Sequence, residues 1–322
     1  MAKDQYVYAV ARIRSKELSL LSGSVIEQLL GAKGYDECLQ LLREKNWGDS
    51  DAEDAGAILA AEREKTWQLI GELVKDLSVF DVFLYANDYH NLKAAIKEAR
   101  MDSEYPGIYI DQGTVDVKRI REAIRTRDFA ALPEAMAEPA KEAYEVLLQT
   151  GDGQLCDIII DRAALNAIYQ AGKAVGDECL KLYGELTVAS ADIKTAVRAA
   201  RTGKDKAFLA RALAPCDTLD VSRLAQAAVE GVDAICAYLE LTPYAEAVEE
   251  LHKSPSAFER WCDNLLIRKI RPQRFNPFGL GPLAAYILAR DNEIKTVRIV
   301  LSGKLNHLPE ESIRERVREM YV

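Results

Sequence analysis

Apolar residues recur along this chain with the three-to-four-residue step of a helix and almost nowhere with the alternation of a strand. Val117, Ile120 and Ile124 fall at i, i+3 and i+7, and Asp116 before them suits an N-cap. Val221, Leu224 and Ala228 repeat the spacing behind Asp220. Ile313, Val317 and Met320 do so near the end, with Pro309 suited to a first helical position. Glu310 and Glu311 then sit in the first turn and Arg314, Arg316 and Arg318 beyond it, an order that complements the helix dipole. Only Ile108–Ile110 and Ile158–Ile160 read as strands, and each is too isolated to build a sheet. The expected fold is all-α.

A long internal repeat organises these helices. Asn91-Leu92-Lys93, Asp192-Ile193-Lys194 and Glu293-Ile294-Lys295 share a polar residue, an aliphatic and a lysine, and successive lysines are 101 residues apart. A short apolar run follows each lysine. The helices expected from Asp116 and Asp220 then continue through polar breaks, at Arg127-Asp128 and at Gly231–Asp233. The segment Val25–Leu42 resembles this second half, with its break at Lys33-Gly34, so the N-terminus is expected to supply part of a unit that the C-terminus lacks. A period this long exceeds that of ordinary solenoids, and each unit is large enough for its own small core. Turn-rich loops at Met101–Gly107, Thr202–Asp205 and Ser302–Asn306 mark the ends of the lysine helices. The expectation is three similar helical domains, 1–106, 107–206 and 207–322, arranged either around a pseudo-threefold axis or in an open curved row.

Composition narrows the function. The net charge of −9 and a pI near 5.1 argue against a global attraction to nucleic acid or anionic lipid. Six cysteines form no CxxC pair and are scattered through helical segments, which favours a reducing compartment over a disulfide framework. The first residues carry no signal-peptide apolar region. The charge-free run Asn276–Ala289 is about 14 residues, short of the about 20 that a spanning helix needs.

No catalytic constellation stands out. His90, His252 and His307 are far apart in sequence and pair with no metal ligand at helical spacing, and no phosphate-binding or dinucleotide glycine motif occurs. Leu21–Val25 superficially resembles a nucleophile elbow, but a helix N-cap at Ser24 is the better reading. The sequence therefore implies no catalytic, metal or cofactor residues. Three features are candidates for partner contact or for lining a cavity. The run Arg268-Lys269-Ile270-Arg271-Pro272-Gln273-Arg274 holds four cations, fit either for a solvated helix end or for an acidic partner or a ring surface near lipid headgroups. In Asn276–Leu283, which includes Phe278 and Gly279, glycines and prolines lie inside what Asn276 and Pro277 open as a first turn. That reads either as a tightly packed helix or as a surface for a close helical partner. Lys93, Lys194 and Lys295 either snorkel from core edges or ring a cavity.

The stretches Asn276–Arg290 and Glu293–Asn306, with the opening Tyr6–Arg14, resemble the C-subunit family of A/V-type ATPases, the bacterial and archaeal counterpart of the d subunit of eukaryotic V-ATPases. The resemblance runs from end to end. It implies an all-helical funnel of three similar domains that joins a central stalk, made of the D and F subunits, to the proteolipid rotor ring. It further implies a protein that carries no nucleotide or ions, lies on the cytoplasmic side and touches the membrane only through the ring. A helical-repeat scaffold gripping some other helical partner is the alternative.

Overall fold

The computed structural model describes residues 6–49, 51–101 and 107–322. Its helices run in order α1 (Val7–Glu17), α2 (Gly23–Gly31), α3 (Tyr35–Glu44), α4 (Ala55–Leu73), α5 (Tyr85–Met101), α6 (Val117–Thr126), α7 (Glu134–Thr150) and α8 (Gly153–Ala174). They continue as α9 (Glu178–Arg201), α10 (Lys206–Ala212), α11 (Val221–Glu230), α12 (Val232–Leu239), α13 (Ala247–Lys253), α14 (Pro255–Ile270), α15 (Gly281–Leu305) and α16 (Glu310–Arg314). No strand occurs among the described residues. The all-α expectation holds.

The chain divides into two compact units. The first comprises the N-terminal segment through Leu77, Asp177–Cys179 and Glu249–Val322. Its centre is α15. This helix lacks the one-sided apolar stripe of a surface helix and is buried without a break from Gly281 to Arg290. Helices α1, α2, α3, α4, α14 and α16 pack on it. The core joins Leu30, Cys38, Leu42 and Ile58 from the front of the chain to Val297, Val300 and Ile313 from its end.

The second unit comprises Ser78–Gly176 and Leu180–Val248. Ile96 of α5, Ile120 and Ile124 of α6, Ala140 and Ala143 of α7 and Cys156 and Ile160 of α8 share one core. Pro139 lies inside α7 and cannot donate to the carbonyl of Ala135 four residues back. The Tyr89 hydroxyl of α5 donates to that carbonyl instead, at 3.0 Å. Tyr89→Phe is therefore expected to leave a carbonyl unsatisfied and cost about 1–2 kcal/mol in a urea melt. Where α8 meets α9, glycine faces glycine. A methyl at Gly172 would lie 2.6 Å from the Leu180 carbonyl oxygen and 3.5 Å from the Gly184 Cα. Gly172→Ala must push two backbones apart, with an expected loss of about 1–3 kcal/mol in the same assay.

Several boundaries differ from the sequence expectation. Ile158–Ile160 lies within α8, and Ile108–Ile110 is a loop that bends at Tyr109. The N-cap of α2 is Ser22, and Ser24 falls inside the helix. Asn276 does not open α15, which starts at Gly281 with Pro282 in its first turn. The Asn276 side chain instead accepts from the Phe278 amide at 3.2 Å, and Gly279 takes a left-handed φ of +78° that only glycine adopts freely. Ser302–Leu305 belongs to α15 and is not a loop. The last helix stops at Arg314. Val317 and Met320 reach the apolar core from irregular chain, which mimics helical spacing in the sequence. Of the expected loop Met101–Gly107, residues 102–106 lie outside the described residues. The N-caps at Asp116 and Asp220 and the breaks at Arg127, Gly231 and Gly34 stand where the sequence put them.

Candidate functional site

The repeat acquires a physical meaning two residues before each lysine. Asn91, Asp192 and Glu293 are 0%, 0% and 1% exposed. Each offers a side-chain oxygen to one backbone amide of a distant segment. Asn91 Oδ1 accepts from the Ile110 amide at 2.9 Å, and Asp192 Oδ1 accepts from the Ala214 amide at 3.0 Å. Glu293 Oε1 accepts from the Leu21 amide. In the first two cases the clamped segment leads into a helix capped by an aspartate, Asp116 or Asp220. In the third it leads into α2, from the opposite end of the chain. A buried amide without a partner is costly, so each clamp fixes an irregular segment against its long helix.

A second anchor reinforces two of these clamps. Asp88 accepts from the Thr114 amide at 2.9 Å, from its hydroxyl at 2.6 Å and from the Val115 amide at 3.2 Å. Glu185 accepts from the Asp217 amide at 3.0 Å and from the Thr218 amide at 2.8 Å, and also from the Thr218 hydroxyl. Thr114 and Thr218 each stand two residues before their capping aspartate. A Cβ at Gly113 would run into the Asp88 carboxylate, so this turn admits no side chain there.

Burial sets the chemistry of these acids. It pushes Asp192 up to about 7 against the hydrogen bond from Ala214 and the pull of Arg162. It pushes Glu293 up to about 7 as well, against the attraction of Arg290. Asp88 is raised by burial too, with its hydrogen bonds opposing. In the first unit Arg290 donates to Glu293 at 2.5 Å and to Glu62, and weakly to Thr66 at 3.4 Å, while its guanidinium lies 5.2 Å from the Trp47 ring.

The repeat lysines hold the outer edge of the same helices. Lys93 meets Asp161 of α8 at 2.6 Å, and Lys295 meets Asp263 of α14 at 2.5 Å. Arg318 shares that Asp263 oxygen at 2.8 Å. Lys93 and Lys194 line one cavity of about 830 Å³ bounded by α5, α8, α9 and α10. The lysine pairs are partly exposed, so each contributes only about 0–1 kcal/mol.

The basic run is divided in its commitments. Arg268 pairs with Glu319, and Arg271 donates to the Met320 carbonyl at 2.8 Å and stands 3.7 Å from Glu319. These two tie α14 to the C-terminal tail. Arg274 lies 6.0 Å from the Tyr321 ring, and Lys269 is exposed. Phe278 is exposed beside Gly279. Arg14 of α1 fastens this loop by donating to the carbonyls of Gln273 at 2.6 Å and Asn276 at 2.7 Å.

Among the described residues, no group of three or more His, Cys, Asp and Glu side chains could hold a metal ion, and no helix is long and apolar enough to cross a membrane. All six cysteines are free thiols, and burial pushes Cys156 up to about 11 and Cys179 and Cys216 to about 12.

The arrangement is thus a set of clamps and edge pairs, and comparison with known proteins says whose. Residues 9–316 match the family model described as ATP synthase (C/AC39) subunit. The chain belongs to this family. It is 24% identical to the C subunit of the V-type sodium ATPase of Enterococcus hirae, an alignment that covers 96% of this chain and 97% of that one. It is also 24% identical to the C subunit of the V-type ATP synthase of Thermus thermophilus, over 98% of each chain. The C subunit of the A-type ATP synthase of Methanocaldococcus jannaschii is 24% identical over 96% of this chain and 85% of its own length. All three clamps of this C/AC39 family member, including the Leu21 end of the third, lie inside the matched span.

Proposed function

We propose that this chain is a non-catalytic central-rotor subunit of a V/A-type rotary ATPase or ATP synthase, coupling the central stalk to the membrane proteolipid ring during H⁺ or Na⁺ transport. The family match across residues 9–316 carries this reading. On it, the D and F stalk subunits enter a funnel of three similar helical domains around a pseudo-threefold axis. The wide base rests on the proteolipid ring at the cytoplasmic face, and the membrane is touched only through that ring. The three clamps support the threefold repeat, and the bond from Leu21 to Glu293 supports reading the N-terminal segment as supplying part of the unit that the C-terminus lacks. Exposed Lys269, Arg274 and Phe278 are then candidate contact residues, whereas Arg268 and Arg271 serve mainly to hold the tail.

Such a part transmits torque, so its irregular segments must not slide along the long helices under load. Buried side-chain-to-amide bonds resist sliding better than apolar packing, which is non-directional. The test is size-exclusion chromatography of the purified chain with its cognate D–F stalk complex. Co-elution at micromolar concentration is expected. Separate elution at that concentration contradicts the reading.

A further inference from the structure

The first unit contains a cavity of about 380 Å³ bounded by α1, the segment after α3, α4 and α15. Its floor is fully paired. Arg290 is bonded to Glu62, Glu293 and Thr66, and Lys65 donates to Glu62 at 2.6 Å and to the carbonyl of Asn46 at 3.1 Å. Its wall is not. Arg12, Lys16 and Lys45 line the same cavity, and their side chains have no hydrogen-bond or ion-pair partner among the described residues. Glu72 is the one carboxylate on the wall outside the Arg290 network.

Three uncommitted cations against one carboxylate is an unusual concentration in a chain of net charge −9. Like charges gathered in one concavity repel each other and raise the local anion concentration. A guanidinium fork together with two ammonium groups matches the oxygens of a phosphate group, for which arginine gives directional and lysine point-charge contacts. The volume lies in the range of small-ligand sites.

We propose that this cavity binds a phosphate-bearing ligand, with Arg12, Lys16 and Lys45 as its cationic contacts. The phosphate belongs either to a free ligand of about diphosphate size or to the headgroup of an anionic lipid. Tyr8 of α1 and Leu18 just past its end are 70% and 89% exposed, apolar surface near the cavity of the kind that a lipid interface covers. The inference does not depend on the coupling role, and the lipid outcome would add a direct membrane contact to the one through the ring.

The experiment titrates the full chain with sodium pyrophosphate and follows heat and the NMR signal of the Trp47 indole, which also lines the cavity. Saturable, salt-sensitive binding at submillimolar concentration is expected, with a shift of Trp47 and none of Trp261. Lys16 and Lys45 are exposed, so the double variant Lys16→Glu/Lys45→Glu stays folded, its melting point lowered only slightly by carboxylates at the C-terminal ends of α1 and α3, while affinity falls at least about tenfold. Lys16→Arg/Lys45→Arg retains binding. Sedimentation with phosphatidylglycerol vesicles but not phosphatidylcholine vesicles, reversed by pyrophosphate, assigns the phosphate to lipid. Pyrophosphate binding without vesicle binding assigns it to a free ligand. No saturable binding at millimolar pyrophosphate, affinity unchanged by the charge reversal, or equally tight binding of citrate would each overturn the proposal.

Discussion

Asp192→Asn is expected to stabilise the protein at neutral and alkaline pH and to leave it nearly unchanged near pH 4. The Asp192 carboxyl is fully buried, with one oxygen bonded to the Ala214 amide and the other without a donor among the described residues. Its folded pKa, about 7, lies above the ordinary 3.8. Between these two values the folded protein holds a proton that the unfolded chain releases. Stability from this group is therefore full below about pH 4 and is lost as pH rises through 7. At one unit per 1.36 kcal/mol the loss is at most about 4 kcal/mol. Asparagine removes the titration and adds a donor where the bare oxygen stands. The first repeat already carries that solution, since Asn91 accepts from the Ile110 amide and its Nδ2 donates to the Ile110 carbonyl at 2.8 Å. Urea melts at pH 4.5 and 8 are the check. A stabilisation that is equal at both pH values, or a loss at pH 8, would show that Asp192 is not the titrating acceptor described here.

Arg290→Met is expected to be more damaging than the loss of any single clamp, at about 3–5 kcal/mol near pH 8. The substitution fills a similar volume but strands the Glu62 and Glu293 carboxylates in a buried site, and an uncompensated buried charge costs more than the pair contributes. Burial holds the Glu293 pKa at about 7 even with Arg290 beside it; without Arg290 it rises further, and the carboxyl escapes by taking a proton. The cost therefore shrinks as pH falls from 8. Adding Glu62→Gln and Glu293→Gln to Arg290→Met removes both stranded charges, so the triple variant should melt at higher urea than the single one at pH 8. If the triple variant is no more stable than the single one, apolar packing of Arg290 on Trp47 carries the loss and the charge account fails.

The sequence made the repeat visible through its lysines because the same letter recurs at one interval. The working part of the repeat is written in three letters: Asn91, Asp192 and Glu293 differ as residues and agree only in offering an oxygen acceptor. Their burial could not be read from a polar position beside an aliphatic one. The strand-like Ile108–Ile110 is a bent loop whose Ile110 backbone is bonded by the Asn91 side chain and not by another strand. Helix starts at Asp116 and Asp220 were legible because a capping aspartate acts within three residues. The start of α15 was not, because it depends on the left-handed Gly279 and on the close packing of Gly281 against Gln273. Val317 and Met320 kept helical spacing without a helix because both face the same core. The cationic cavity was invisible because Arg12, Lys16 and Lys45 come together only through packing.

The most direct test of the coupling role is a reconstitution of the cognate rotary ATPase in vesicles with and without this chain. The account predicts that without it the catalytic head still hydrolyses ATP but no ion gradient forms, and that adding the chain back restores ATP-driven transport. Full ion pumping in its absence would contradict the account.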